Sequence, residues 1–243
     1  MEKAYKILAR QKEISNKKAK ELIDRGLVYI GDKKVKIARA EVDEDTHFRV
    51  EIPDDIEIIY QDESLIVINK PPFVDSYEIE KAIDGAKLLH RLDKETSGVM
   101  LLARDEYFFE KAIEEFKKRR VKKSYVAWVE GIVAEEFEID LPILTIKGNR
   151  AISKIDKKRG KPAFTKVFPD IIQGKKSRVN VQITTGRTHQ IRLHLSAVGH
   201  PIVGDEFYGS RTKAKRVLLH SHKIELLGNL FEAPLPKDIR RYK

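Results

Sequence analysis

At 243 residues without a cysteine, the chain can form one large domain, or a mid-sized domain beside a small one, and it excludes disulfide staples and thiolate metal sites. Its 48 Lys and Arg exceed its 38 Asp and Glu to give a net charge of +10, which calls for a polyanionic partner. No apolar run approaches the roughly 18 residues of a membrane span and the first residues form no apolar leader, so a monomer in the reducing cytoplasm with no membrane role is expected.

The charge is sorted by segment. Residues 1–39 hold 12 Lys/Arg against five Asp/Glu, whereas residues 40–53 hold one Arg against five acids. Within the basic segment Tyr5, Ile7 and Leu8, then Ala19, Leu22 and Ile23, recur at helical spacing, with Ser15 able to cap and Gly26 able to stop the second helix. Residues 27–30 and 33–37 flank Gly31-Asp32 as a tight hairpin, and residues 47–52 offer one more strand before Pro53-Asp54-Asp55 ends the unit. Lys17, Lys18, Lys20 and Arg25 of the second helix then lie beside Lys33, Lys34 and Lys36 of the hairpin, a basic face suited to phosphates. The run from Ser15 through Gly31 resembles the signature of the S4 domain, a small RNA-binding module, over roughly residues 3–50.

Beyond residue 53 strands and helices alternate without a repeat. Residues 58–60 and 65–68 read as a hairpin across Asp62-Glu63-Ser64, residues 77–86 as a short helix and residues 99–103 as a buried strand. Asp105 can cap a helix reaching residue 120 with Phe109, Ile113 and Phe116 on its apolar stripe, and its basic end runs on to Lys122 and Lys123. Residues 124–130, 164–168 and 178–183 alternate as strands. Residues 147–161, with seven Lys/Arg against one Asp, read as a basic loop that could clamp a phosphate or simply be solvated. Ile191, Leu195 and Val198 at i, i+4 and i+7 predict a last helix starting near Thr188 and burying that face.

Two stretches carry chemistry. His90-Arg91-Leu92-Asp93-Lys94-Glu95-Thr96-Ser97-Gly98 sets one acid on a loop braced by a buried strand, an arrangement that exposes a carboxylate at a fixed position; the alternative is an Asp that merely closes its own turn. Gly186-Arg187-Thr188-His189-Gln190-Ile191-Arg192-Leu193-His194 puts Arg187 at a helix mouth, where the dipole disfavours a cation and an anionic partner is required. A zinc site on His189, His194 and His200 is disfavoured because the spacing misses one helical face and neither a cysteine nor an orienting acid completes it. No metal or cofactor is expected.

Together with Asn69-Lys70-Pro71, the strand Lys123-Ser124-Tyr125-Val126-Ala127-Trp128-Val129-Glu130-Gly131 and the closing Leu219-His220-Ser221-His222, these stretches resemble the RluA-type RNA pseudouridine synthases over residues 57–238, in the family's order. The leading His90 matches the RluA branch, while the segment between Pro72 and His90 is short and lacks the glycine usual after the first motif. The resemblance implies an α+β chain: an S4-like helix-helix-hairpin unit, residues 1–53, then a catalytic domain, residues 54–243, with a mixed, mainly antiparallel sheet, flanking helices and a central cleft. It implies conversion of uridine to pseudouridine in structured RNA, large-subunit ribosomal RNA before tRNA, without cofactor or metal. Asp93 carries the essential acid, as nucleophile or as base; Arg187 pairs with it and keeps it ionised; Tyr125 packs on the uracil and can relay a proton. Arg91, Lys123 and Arg192 join the N-terminal cations as expected RNA contacts. Two other readings are a non-enzymatic RNA-binding assembly factor, which the joint presence of Asp93, Tyr125 and Arg187 disfavours, and a glycoside hydrolase, which needs a second acid such as Glu95 or Asp105 about 5–9.5 Å from the first.

Overall fold

The computed structural model describes residues 1–24, 28–31, 33–50, 56–83, 85–146 and 152–242, and the side chains of these residues apart from Lys18 and Val50. The chain divides into two compact units, Met1–Ile56 and Glu57–Lys243. The expected boundary at residues 53 and 54 lies outside the described residues, as do Arg25, Gly26 and Leu27.

In the first unit β1 (Glu2–Lys3) leads into α1 (Ala4–Gln11) and α2 (Asn16–Asp24), followed by β2 (Val28–Ile30), β3 (Lys33–Lys34), β4 (Glu41–Val42) and β5 (Arg49–Val50). The helical spacing noted above has its cause in a core of its own: Ile7, Leu8, Ile23 and Val28 are buried together with Ala4, Ala19 and Phe48, each large aliphatic contributing about 1.5–3 kcal/mol. The hairpin forms, with Tyr29 opposite Lys34 and Ile30 opposite Lys33, and β5 adds to its other side through Val28 and Val50. Gly31 turns it with φ +57°, a left-handed conformation that glycine adopts without a Cβ penalty.

The second unit is built on one ten-stranded sheet. Its strands in chain order are β6 (Glu57–Gln61), β7 (Leu65–Lys70), β8 (Lys87–Leu88), β9 (Ser97–Ala103), β10 (Lys122–Glu130), β11 (Phe137–Asp140), β14 (Phe164–Gln173), β15 (Lys176–Ile183), β16 (Leu219–Leu226) and β17 (Asn229–Glu232), while β12 (Ile143–Ile146) and β13 (Ile152–Ile155) pair apart from it. Across the sheet the order is β11-β14-β15-β10-β16-β9-β7-β6, with β17 on β16 and β8 on β9. All the pairings of this sheet are antiparallel except β16 with β9, where His220 lies beside Ser97 and Ser221 beside Gly98. Gly98 permits that approach: a Cβ there would come within 2.0 Å of the Ser221 carbonyl oxygen. Every residue of β9 is buried, and α4 (Glu106–Lys117) packs Phe109, Ile113 and Phe116 against the core that Val99, Leu101 and Ala103 form with Leu65 and Val67. Asp105 caps α4 by accepting the Phe108 N–H at 2.8 Å.

Several local expectations change. Residues 152–155 are a strand rather than part of a loop, because Ile143 and Ile155, Leu144 and Lys154, Thr145 and Ser153, Ile146 and Ile152 pair as a hairpin; residues 147–151 lie outside the described residues. The short helix is α3 (Ser76–Ala82), capped by Asp75 and ended where Ile83 turns extended ahead of β8. The helix after Asp105 stops at Lys117, and Arg119 is left-handed at φ +57°. The last long helix is α5 (Gln190–Ala197), which begins two residues late because His189 is left-handed at φ +55°; Ile191 and Leu195 are buried, whereas Val198 ends the helix 39% exposed. Phe73 occupies the left-handed region at φ +70°, in the segment that lacks the expected glycine, and its N–H donates to the Lys94 carbonyl at 2.6 Å. α6 (Lys237–Arg240) closes the described chain, and Trp128 Nε1 donates to its Ile239 carbonyl at 2.8 Å.

Candidate active site

Asp93 lies on the loop that feeds β9, the strand of the parallel junction, and this loop is clamped residue by residue. Ser76 Oγ donates to Leu92 O at 2.9 Å and accepts the Leu92 N–H at 3.2 Å. Lys70, fully buried, donates through Nζ to the carbonyls of Pro71, Val74 and Lys94 at 2.9, 2.8 and 3.2 Å. Arg216 grips Asp238 with Nε and Nη2 at 2.7 and 2.9 Å and donates through Nη1 to Glu95 O at 3.3 Å. The carboxylate between these anchors keeps 27% of its side chain exposed, so it is fixed in position yet accessible.

The cleft it faces measures about 490 Å³ and is lined from β10 by Lys123 and Tyr125, from α4 and the turn after it by Phe116, Lys117 and Arg119, and from the segment 183–192 that leads into α5. Lys123 and Tyr125 are two residues apart on one strand, so they share a face of the sheet. Its cations are Arg91, Lys117, Arg119, Lys123, Arg187 and Arg192, whereas Asp93 is the one acid among its lining residues. A second carboxylate facing the same cleft is what a two-acid glycosidase requires. None is there among the described residues.

Arg192, rather than Arg187, pairs with Asp93. The Arg192 Nη1 reaches Asp93 Oδ2 at 3.4 Å, and His189 Nε2 lies 3.9 Å from Oδ1. Arg187 instead donates through Nε to Pro162 O at 3.2 Å. The local reason is Gln190, which accepts from Thr185 Oγ1 and the Arg187 N–H and donates to Phe164 O, drawing the turn in and aiming Arg187 along the cleft wall. Five residues on, inside α5, the side chain that reaches the acid is that of Arg192. Arg192, expected from the sequence as an RNA contact, lines the cleft at 8% exposure, and its Nε and Nη2 form a fork on Asp205 at 2.7 and 2.8 Å. Burial works against the guanidinium charge, but the bonds and charge of Asp205, with a further contribution from Asp93, outweigh it and hold its pKa above the ordinary value.

Burial pushes the Tyr125 hydroxyl up, with the Asp93 charge acting the same way and the Ser221 side chain opposing, so it stays a proton donor. Burial and then the Arg187 charge push Lys123 down to about 8; its Nζ donates to Thr185 O at 3.2 Å. The His90 ring is driven down to about 3 by burial and by Lys123, and its Nε2 accepts the Leu101 N–H at 3.2 Å, so it is neutral. The histidines weighed as metal ligands go to separate partners: His189 Nδ1 meets Tyr208 Oη at 2.9 Å, His194 meets Thr165 Oγ1 and Leu141 O, and His200 meets Glu130 O.

Residues 64–197 match the family model described as RNA pseudouridylate synthase. The chain belongs to that family. An RNA pseudouridine synthase of Helicobacter pylori is 52% identical over 98% of this chain and 99% of its own. The dual-specificity RNA pseudouridine synthase RluA of Escherichia coli is 34% identical over 74% of this chain and 93% of its own, and the ribosomal large subunit pseudouridine synthase D of Haemophilus influenzae is 29% identical over 93% and 85%. Among solved structures, human RNA pseudouridylate synthase domain containing 1 superposes with a TM-score of 0.64 over 76% of this chain and 84% of its own, at 28% identity. The synthase therefore isomerises uridine to pseudouridine in RNA, and its mixed, mainly antiparallel sheet with flanking helices is the family's catalytic fold.

Sequence reading missed Asp205 and, although it singled out the motifs holding Lys70 and His189, gave neither a place beside the acid. Asp205 lies between Gly204 and Glu206, 13 residues past Arg192, and only its complete burial at 1% exposure reveals that it needs a cation. The depressed Lys123 gives a sign-defined test. Below about pH 8 the folded protein carries the full cost of charging this buried lysine; between pH 8 and the ordinary value of 10.5 the unfolded chain binds a proton that the folded one has lost, so this contribution to stability rises with pH. Lys123→Met should therefore be more stable than the wild type at pH 7, by roughly 3 kcal/mol, and the gap should close by about pH 10.5. Urea denaturation across that range measures it, and a gap that does not narrow refutes the buried-charge assignment.

Proposed function

We propose that Asp93 is the acid that opens the nucleotide, acting on the flipped uridine as nucleophile at C1′ or as base at the sugar. The observation that carries this is its standing as the sole acid lining the cleft among the described residues, held at Arg192 Nη1 and opposite Tyr125. The reaction breaks the N1–C1′ bond, turns the uracil and joins C5 to C1′, with the C5 proton removed and N1 left protonated. Either role of Asp93 needs an ionised carboxylate, and the Arg192 guanidinium stands 3.4 Å from it. Tyr125, kept protonated, packs against the uracil and relays the C5 proton. The target must leave the stack because C1′ and N1 are covered inside a helix, and the cations around the cleft offset that unstacking.

The first unit, we further propose, is an S4-type RNA-binding domain. Two helices and a hairpin on a separate core, with exposed Lys17, Lys33 and Lys34, support it. Lys20 lies 4.3 Å over the Tyr5 ring, and Tyr29 is flanked by Lys34 and Arg49 at 5.5 and 5.4 Å, which gives aromatic faces held among cations. Large-subunit ribosomal RNA is the proposed substrate, supported by the similarity to the synthase D of Haemophilus influenzae over 93% of the chain. Action as a monomer in the cytoplasm is proposed with them; the lack of cysteine suits a reducing compartment, and among the described residues no helix is long and apolar enough to cross a membrane.

Asp93→Asn should bind RNA as the wild type does and form no pseudouridine in a tritium-release assay, since the amide keeps the shape and supplies neither nucleophile nor base; turnover by this variant removes Asp93 from the mechanism. Mapping pseudouridines in RNA from cells with and without the gene should reveal a site lost from large-subunit ribosomal RNA, and a loss confined to tRNA overturns that target. The triple change Lys17→Gln, Lys33→Gln, Lys34→Gln should flatten the log-log salt dependence of RNA binding by about 2–3, at about 0.7–0.9 per phosphate contact. An unchanged slope assigns that face to solvent.

A further inference from the structure

Lys123 and Arg187 are an unusual pair. Lys123 is only 8% exposed, and the nearby guanidinium disfavours its charge, yet among the described residues the hydrogen bonds of both side chains go to backbone carbonyls, of Thr185 and Pro162, and to no acid. Two adjacent cations on one wall of a cleft, one of them desolvated, destabilise a fold unless an anion joins them. The cleft cannot supply that anion, because its acid is held by Arg192. Neighbouring groups keep the place open. Gly186 carries no side chain, and a Cβ there would lie 3.2 Å from Lys123 Nζ, crowding the nitrogen. His90 is neutral and turned to the Leu101 N–H, so it contributes neither a counter-charge nor a third cation.

We infer that Lys123 and Arg187 form a seat for one phosphate group, the phosphodiester adjoining the uridine that enters the cleft. The inference rests on the reading of the cleft given under Proposed function and adds to it where the nucleotide is gripped. A planar guanidinium and a point-like ammonium suit the two non-bridging oxygens of one phosphodiester. The reaction itself demands such a grip. The uracil leaves C1′ and must turn before it is rejoined, so the base cannot be the handle that holds the nucleotide through the reaction. A phosphate fixed on the wall holds the sugar against Asp93 while the base moves.

The test uses uridine, uridine 5′-monophosphate and uridine 3′-monophosphate as probes of the full-length protein, with binding followed by NMR titration at pH 7. One of the monophosphates should bind the wild type about tenfold more tightly than uridine, the gain of one charge-assisted contact at about 1.4 kcal/mol. In Lys123→Met and in Arg187→Met that margin should fall below about twofold while uridine affinity is unchanged, the contacts being to the phosphate alone. Lys123→Arg should restore most of it. Asp93→Asn should retain the whole margin, so a failed seat and a misassigned acid give different results: the first is read in the nucleotide titrations, the second in turnover. The seat is overturned if the wild type binds uridine and both monophosphates alike, or if the margin survives in both methionine variants, which puts the phosphate elsewhere.

Discussion

A guanidinium shared between two carboxylates holds this site together. Arg192 is buried, and burying it alone would be strongly unfavourable; the two-point fork on Asp205 supplies the compensation and fixes the plane of the group. Only Nη1 is then left for Asp93, at 3.4 Å. The division separates structural from chemical demands. The fully buried acid stabilises the arginine, and the partly exposed acid receives a positive neighbour without being sealed by it. Because the neighbour's position is set by Asp205, Asp93 need not be buried to be held in the right field, and substrate can reach it.

The rest of the cleft shows the opposite balance. Lys123, Arg187, Lys117 and Arg119 line the cleft, in which Asp93 is the one acid among the lining residues, and burial together with the Arg187 charge disfavours the charge on Lys123. A sequence selected for stability alone would place a methionine or leucine there. Retaining the lysine leaves the free protein less stable and makes the cleft more receptive to a polyanion, the usual tension between stability and function at a site.

What was legible in the sequence followed from how local each signal is. The β2–β3 and β6–β7 hairpins and the α1, α2 and α4 helices were readable because apolar residues recur at the period of the element and Asp105 caps its own helix. The loop bearing Asp93 and the strand bearing Lys123 and Tyr125 were recognisable from contiguous motifs. The choice between Arg187 and Arg192 was not, because it turns on the left-handed His189 and on the buried Gln190, whose bonds to Thr185, Arg187 and Phe164 cross between β14 and the turn before α5. The strand at residues 152–155 was hidden because it reads as part of a basic run: Lys154 is exposed, and the one residue this strand buries is the polar Ser153. Asp205 left no trace at all, since nothing periodic links it to an arginine 13 residues earlier.

The parallel pairing of β9 with β16 has a consequence for the order in which the enzyme comes into being. Ser97 and Gly98 meet His220 and Ser221 across 123 positions of chain, and Arg216, from the same late segment, holds the carbonyl of Glu95. Contacts of such long sequence separation form slowly and only after both partners are available. During synthesis the loop of Asp93 leaves the ribosome early but lacks its neighbour strand and its clamp until more than a hundred further residues have followed. A nascent chain that stops short of β16 thus has no assembled cleft, and modification of RNA waits until residues 216–221 are available to pair.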